Sequence, residues 1–342
     1  MTRTSQRLTT AEEYAQILDK FDTFLFDCDG VIWTGPTLVP GVAEVLNLLR
    51  SRGKNVLFVT NGASSSREKF KKAFDGWGIQ TSVNEIFGSA YASAIYLSRI
   101  LNFRADKRVY VIGGEGIEHE LRSVGIEYTG GTDLEDRVAF PPGEHVRIKQ
   151  DPSIGAVLCG FDEYIKLLLR TDYKKYAKAH TYIMNNPGCE FIITNADATY
   201  PAGEGAFYPG ASIYFSVMRH GGSDGASGNP FVATGAGSIS APLRYSTKKP
   251  PTIIGKPHKH MMDAIMATHH CDPERTIMIG DNLETDVLFG INSNIATLLV
   301  MTGVTNESHL SGEHKRDTVP DYIVKSIGDF AVLARKKIMQ TR

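Results

Sequence analysis

Short apolar runs that alternate with helical stretches constrain most strongly what this 342-residue chain can fold into. The runs include Phe24-Leu25-Phe26, Asn55 to Val59, Arg108 to Ile112, Ile154 to Cys159, Phe191 to Thr194, Thr276 to Ile279 and Ala296 to Val300. Each has the length of a strand, and near-continuous apolar character marks strands buried on both faces. Helical patterns lie between them. One runs from Thr10 to Lys20, and another carries Val42, Val45, Leu46 and Leu49 between Pro40-Gly41 and Arg52-Gly53. Further helices are expected over Ser64 to Phe74 and near Tyr164 to Ala179. Alternation of this kind predicts an α/β protein, with a parallel sheet covered by helices in the Rossmann-like manner.

The alternation restarts after Arg104. Residues 105–249 are therefore expected to form an α/β unit of their own, a cap or specificity domain, inserted between core segments 1–104 and 250–342. In this reading Thr252-Ile253-Ile254 is the strand with which the core resumes. The helix after it places Met261, Met262, Ile265 and Met266 in the core. The stretch from His220 to Pro230, rich in glycine, reads as a flexible surface insertion.

Composition sets limits. With 42% hydrophobic and 22% charged residues the chain should pack a core. A formal charge of -1 argues against a nucleic-acid surface. No apolar run approaches the ~18–20 residues of a membrane helix, and Met1 to Gln16 lacks the apolar segment of a secretory signal. Cys28, Cys159, Cys189 and Cys271 show no CxxC spacing, which suits a reducing compartment and makes zinc improbable. A cytoplasmic enzyme without nucleic-acid or membrane partners is the expectation.

The chemistry lies at the strand ends. Phe24-Leu25-Phe26 runs into Asp27-Cys28-Asp29-Gly30, two carboxylates one residue apart. In isolation that could be an ordinary acidic turn. Three other apolar runs also end in polar groups: Thr60-Asn61-Gly62, then Gly255-Lys256, then Gly280-Asp281 with Asp286 a turn later. The carboxyl ends of parallel strands share one edge, where ligands bind, so the four groups should converge. Several carboxylates in one crevice repel one another and call for a cation, and Mg²⁺ prefers oxygen ligands. Thr60, Asn61 and Lys256 are hydrogen-bond donors suited to phosphoryl oxygens. Acids with a metal on one side and donors on the other describe a phosphoryl-transfer site. Cys28 reads as structural, because the flanking anions should raise its pKa.

Asp27-Cys28-Asp29-Gly30, Thr60-Asn61, Lys256 and Gly280 to Asp286 resemble the four motifs of the haloacid dehalogenase-like phosphatases. The longer Phe26 to Trp33, Val111 to Gly116 and Gly160-Phe161-Asp162-Glu163 are similar to the subgroup of 4-nitrophenylphosphatase, phosphoglycolate phosphatase and pyridoxal phosphatase. The likeness spans about Phe21 to Thr302. It implies that Asp27 is the nucleophile, forming an aspartyl-phosphate, and that Asp29 is the general acid and base. Mg²⁺ would be held by Asp27, the Asp29 backbone carbonyl and Asp281, with Asp286 supporting the metal from behind. Thr60, Asn61, Gly62 and Lys256 would hold the phosphoryl group, and the cap would close over the substrate and carry a homodimer contact.

Specificity departs from the family pattern. The cap segment near the active site in this subgroup is here Thr194-Asn195-Ala196-Asp197, and Tyr200 stands where the pyridoxal-phosphate relatives carry a substrate-touching histidine. That weakens the pyridoxal 5'-phosphate reading and favours a small phosphorylated metabolite such as 2-phosphoglycolate. Residues 211–234 form an insertion relative to the family. Two competing readings keep the fold: a phosphotransferase or mutase, against which the large cap counts, and a phosphate-ligand sensor, which would not need a nucleophile. A haloacid dehalogenase proper would lack Asp29.

Overall fold

The strand Thr23–Phe26 stands inside a seven-stranded sheet. Its order is Gln6–Arg7, Tyr322–Val324, Ala296–Val300, Thr276–Gly280, Thr23–Phe26, Asn55–Thr60 and Ile86–Gly88. The structure, a computed structural model, describes residues 4–137, 148–162, 173–203, 206–209, 235–311 and 317–340. The pairings from Gln6–Arg7 across to Asn55–Thr60 are all parallel. Phe26 is in register with Phe58 on one side and Ile279 on the other, so these strands end level with one another. The chain adds strands outward on both sides of Thr23–Phe26. The strand order thus reverses there, the position at which such sheets bind ligands.

The apolar runs explain this placement. Phe24, Leu25, Phe26, Phe58 and Ile279 are fully buried, each apolar side chain contributing about 2 kcal/mol of transfer free energy. Ala11–Lys20 is helical, its N-terminus closed by a capping box between Thr10 and Glu13. Val42–Ser51 buries Val42, Val45, Leu46 and Leu49, the stripe that the spacing predicts. The next helix is Arg67–Gly76 and begins later than the Ser64 expected. Serines favour caps over helix interiors, and Ser66 Oγ accepts from the Lys69 N–H at 3.4 Å. In the helix His260–Met266, Met261, Met262 and Ile265 are buried, whereas Met266 is 48% exposed and is not a core residue. It follows Ile265 directly, a position that turns away from the buried stripe.

The chain divides into two compact units. One comprises Met1–Thr60, Lys71–Phe87 and Lys256–Arg342, and the other Asn61–Phe70 and Gly88–Gly255. The second unit has its own five-stranded sheet, ordered Thr252–Ile253, Glu190–Ile193, Ile154–Cys159, Arg108–Ile112 and Tyr128–Gly130, with parallel pairings throughout. Tyr110, Val157, Ile183, Phe191 and Ile239 belong to its core cluster. A hairpin, Thr199–Gly203 with Ala206–Pro209, stands apart from this sheet.

One expectation is corrected here. The strand Thr252–Ile253 does not resume the first sheet; it pairs with Glu190–Ile193 as the edge of the second. A strand of two half-buried residues carries no pattern that selects its sheet. Lys256, three residues on, is nonetheless part of the first unit. The helix expected near Tyr164 to Ala179 is Tyr173–Asn185, residues 163–172 lying outside the described residues. The glycine-rich stretch and the whole of the 211–234 insertion also lie outside them. Among the described residues no helix is long and apolar enough to cross a membrane.

Candidate active site

Beyond Phe26 the chain makes one tight turn, in which the N–H groups of Val31, Ile32 and Trp33 all donate to the Cys28 carbonyl, at 3.3, 2.8 and 3.2 Å. The turn leads into a hairpin of Trp33–Thr34 with Thr37–Leu38. Gly30 sits at φ +77°, and a Cβ there would overlap the Asp281 carboxylate. A Cβ on Gly303 would overlap the same carboxylate from another loop. These two glycines leave room for Asp281 between two backbones, a role open only to a residue without a side chain.

Side chains from three strand ends and one loop meet here. Lys256 Nζ donates to Asp27 Oδ1 and to Asp286 Oδ1, both at 2.7 Å. Asp286 Oδ2 accepts from the Asn282 N–H at 3.1 Å, so both its oxygens are engaged within the first unit. Asp281 Oδ2 accepts from the Val304 N–H at 2.6 Å. Asp29 Oδ1 accepts from Trp33 Nε1 at 2.8 Å. Thr302 Oγ1 donates to the Gly30 carbonyl and ties the acidic turn to the loop that follows the Ala296–Val300 strand.

The electrostatics are unbalanced. Asp27, Asp281 and Asp286 each offer an oxygen within 4.8 Å of the others, and Lys256 is the ammonium bonded to two of them. When ionised, three carboxylates thus face one cation. Burial pushes the Asp27 carboxyl well up; Lys256 opposes this, while Asp286, Asp281 and Asp29 add to it. Burial also raises Asp281, reinforced by Asp286 and opposed by the Val304 N–H. Asp29 is pushed up to about 6 by burial, against the indole hydrogen bond and Lys256. Burial alone would lower the Lys256 ammonium, but Asp27 and Asp286 more than reverse it and the pKa is raised. Cys28 is fully buried, and burial with its flanking carboxylates raises its thiol well above the ordinary value.

This donor set fits a hard divalent cation. It is made of carboxylate oxygens, it carries more negative charge than Lys256 offsets, and burial amplifies the repulsion that a cation would relieve. Asp27 retains 13% side-chain exposure, whereas Asp286 keeps 1%. The open face of the cluster is therefore the Asp27 side.

Of the residues expected from sequence, Asp27, Lys256, Asp281 and Asp286 are brought together, and Asp29 follows Asp27 with its carboxylate held by Trp33. Thr60 is buried at the end of the strand beside Thr23–Phe26. Asn61, the next residue, is built into the second unit: its amide donates to Asp197 Oδ2 at 3.1 Å, and its carbonyl accepts from Asn195 Nδ2 and Ser89 Oγ at 2.9 and 2.7 Å. This links the expected phosphate loop to Thr194-Asn195-Ala196-Asp197. Gly62 follows in the same unit. Tyr200 is in the strand Thr199–Gly203, and its side chain lies outside the described residues. Sequence reading gave no role to Trp33, Gly303 or Val304. The one available signal was glycine after the Ala296–Val300 run.

A family model described as haloacid dehalogenase-like hydrolase matches residues 24–127, and a second, HAD-hydrolase-like, matches residues 253–330. The chain is 40% identical over 331 residues to the 4-nitrophenylphosphatase of Schizosaccharomyces pombe, covering 96% of this chain and 100% of that protein. It is 38% identical to phosphoglycolate phosphatase 2 of Arabidopsis thaliana, covering 96% and 98%. Among solved structures, the 4-nitrophenylphosphatase of Thermotoga maritima superimposes with a TM-score of 0.69 at 25% identity, covering 92% of this chain and 98% of that one. The chain belongs to the haloacid dehalogenase-like hydrolases. Within that family it is a phosphoric monoester hydrolase similar to the 4-nitrophenylphosphatases and phosphoglycolate phosphatases.

Proposed function

We propose that this phosphatase hydrolyses small phosphate monoesters, 2-phosphoglycolate foremost and 4-nitrophenyl phosphate in vitro, through an aspartyl-phosphate on Asp27. The observation that carries the reading is Asp27 itself, a partly open carboxylate held at 2.7 Å by a buried lysine beside two further acids. Asp27 Oδ attacks phosphorus. The bond to the leaving oxygen breaks, its electron pair goes to that oxygen, and Asp29 supplies the proton. Asp29, now a carboxylate, takes a proton from water as the water attacks phosphorus, and the Asp27–phosphorus bond breaks with its pair returning to Asp27.

Asp27, the Asp29 carbonyl and Asp281 would hold Mg²⁺, with Asp286 steadying the set through Lys256 and the Asn282 N–H. When bound, the metal supplies Lewis-acid neutralisation of phosphoryl charge. Lys256 fixes the Asp27 carboxylate, and with Thr60, Asn61 and Gly62 it binds the phosphoryl oxygens. Residues 105–249 act as the cap that selects the substrate and carries a homodimer contact. Tyr200 in place of a histidine, together with 38% identity to a phosphoglycolate phosphatase, supports a small acidic ester over pyridoxal 5'-phosphate. A cytoplasmic location agrees with the cysteine pattern.

The test is phosphate release from 4-nitrophenyl phosphate with and without Mg²⁺, by wild type and Asp27→Asn. The same enzyme then meets 2-phosphoglycolate, pyridoxal 5'-phosphate and sugar phosphates. Mg²⁺-dependent release that Asp27→Asn abolishes, with 2-phosphoglycolate ranked first, is the expected result. Release that survives in Asp27→Asn would refute the nucleophile, and another first-ranked ester would refute the substrate.

A further inference from the structure

We propose that Trp33 is a positioning residue for the proton transfer, biasing which oxygen of Asp29 carries the proton; the proposal rests on the assignment of Asp29 above. The turn after Phe26 wraps Trp33 back over Asp29, four residues earlier. Gly30 N–H donates to the Trp33 carbonyl at 2.7 Å, Trp33 N–H to the Cys28 carbonyl at 3.2 Å, and the indole Nε1–H to Asp29 Oδ1 at 2.8 Å. Trp33 is fully buried. Its ring stands edge-on to Phe74 at 5.4 Å and tilted on Trp77 at 4.9 Å, and Phe74 in turn packs on Phe58 at 4.4 Å. Phe58 is in the strand beside Thr23–Phe26. The indole is therefore wedged in an aromatic stack anchored to the sheet, and its N–H direction is fixed by packing.

The chemistry follows from what an indole cannot do. Its nitrogen donates a hydrogen bond and has no lone pair to accept one. The indole N–H occupies a lone pair of Asp29 Oδ1 and bonds more strongly to a carbonyl oxygen than to a hydroxyl, so the acid form of Asp29 favours its proton on Oδ2. A free carboxyl group can hold its proton on either oxygen and rotate between them. Here the indole biases the protonated species towards one of these two forms before substrate arrives. Such pre-orientation raises the rate of a step only where the proton moves.

The two classes of ester separate this role from general support of the fold. 4-Nitrophenolate leaves without protonation, whereas the alkoxide of an alkyl monoester needs its proton as the bond breaks. The parameter to compare is kcat/KM, which ends at departure of the leaving group and so excludes the later attack of water. Trp33→Phe keeps the ring and removes the N–H. It should lower kcat/KM for an alkyl phosphate by roughly 10- to 100-fold, a part of what a general acid supplies, while 4-nitrophenyl phosphate loses less than about 3-fold. The alkyl loss should fall on kcat with KM little changed. Trp77→Phe disturbs the same stack without touching Asp29 and should leave the ratio of the two esters as in wild type. Should Trp33→Phe not fold, replacement of Trp33 by its benzothiophene analogue, with sulfur in place of N–H, asks the same question at constant shape.

A loss confined to the alkyl ester, absent in Trp77→Phe, would uphold the proposal. Equal losses on both esters, or none, with an active wild type, would overturn it alone. A wild type inactive on both esters would overturn the phosphatase reading and this inference with it.

Discussion

Each unit buries a lysine against acid, and the two clusters are built differently. In the second unit Lys175 Nζ donates to Asp162 Oδ2 at 2.5 Å and to the Gly131 carbonyl at 2.9 Å, and both charged side chains are almost wholly buried. Here the ammonium meets one carboxylate, and a backbone carbonyl takes a second of its donors. In the first unit Lys256 meets Asp27 and Asp286, with Asp281 close by and Asp27 partly open. In the function proposed above the unmatched and open cluster serves chemistry, and the matched, closed pair is expected to serve structure. A buried lysine by itself says nothing of function, and the surplus of acid around it does.

The sharpest way to break this comparison is to remove one member from each cluster. Asp27→Asn should lower phosphate release by at least roughly 10³-fold, as loss of a nucleophile does, and leave the melting temperature equal or higher because one of several repelling acids is gone. Lys175→Met should do the reverse. It strands a buried carboxylate and should lower stability by about 3–5 kcal/mol, read by denaturant unfolding, while kcat of the folded fraction stays within about 3-fold. Lys175→Met combined with Asp162→Leu removes both charges and should recover much of that stability, since a buried pair replaced by apolar groups is often neutral.

Smaller effects sharpen the contrast. Mg²⁺ should stabilise wild type by about 2.7 kcal/mol at a hundredfold excess over Kd, read as a higher melting temperature. Asp281→Asn should weaken that response, and Lys175→Met should keep it. The smallest effect is at Cys28. Burial raises its thiol well above the usual range, so iodoacetamide at neutral pH should leave it unlabelled in the native protein, as mass spectrometry of digested peptides would show.

Much of the site was legible because strand ends announce themselves: an apolar run that stops at a charged group identifies both the strand and the edge it faces. That logic found Asp27, Asp281 and Asp286. It also found Lys256, although for a partly mistaken reason, since the strand before it belongs to the other sheet. Two half-buried residues contain no periodicity, so sheet membership is decided by tertiary pairing alone. The same holds for Gln6–Arg7 and Tyr322–Val324, edge elements too short to carry a signal. Trp33 was legible as a residue and not as a partner of Asp29, because their bond depends on a turn in which three N–H groups donate to one carbonyl. Val304 acts through its backbone, which no side-chain pattern reveals.

The most direct measurement is capture of the covalent intermediate. Wild type and Asp29→Asn would be mixed with 4-nitrophenyl phosphate and Mg²⁺, quenched in acid, digested and mapped by mass spectrometry. Asp29→Asn lacks the base that activates water, so a phosphoryl adduct should accumulate in it, on the peptide containing Asp27 and at Asp27 itself. An adduct at Asp281 or Asp286, or turnover without any adduct in either protein, would contradict the account.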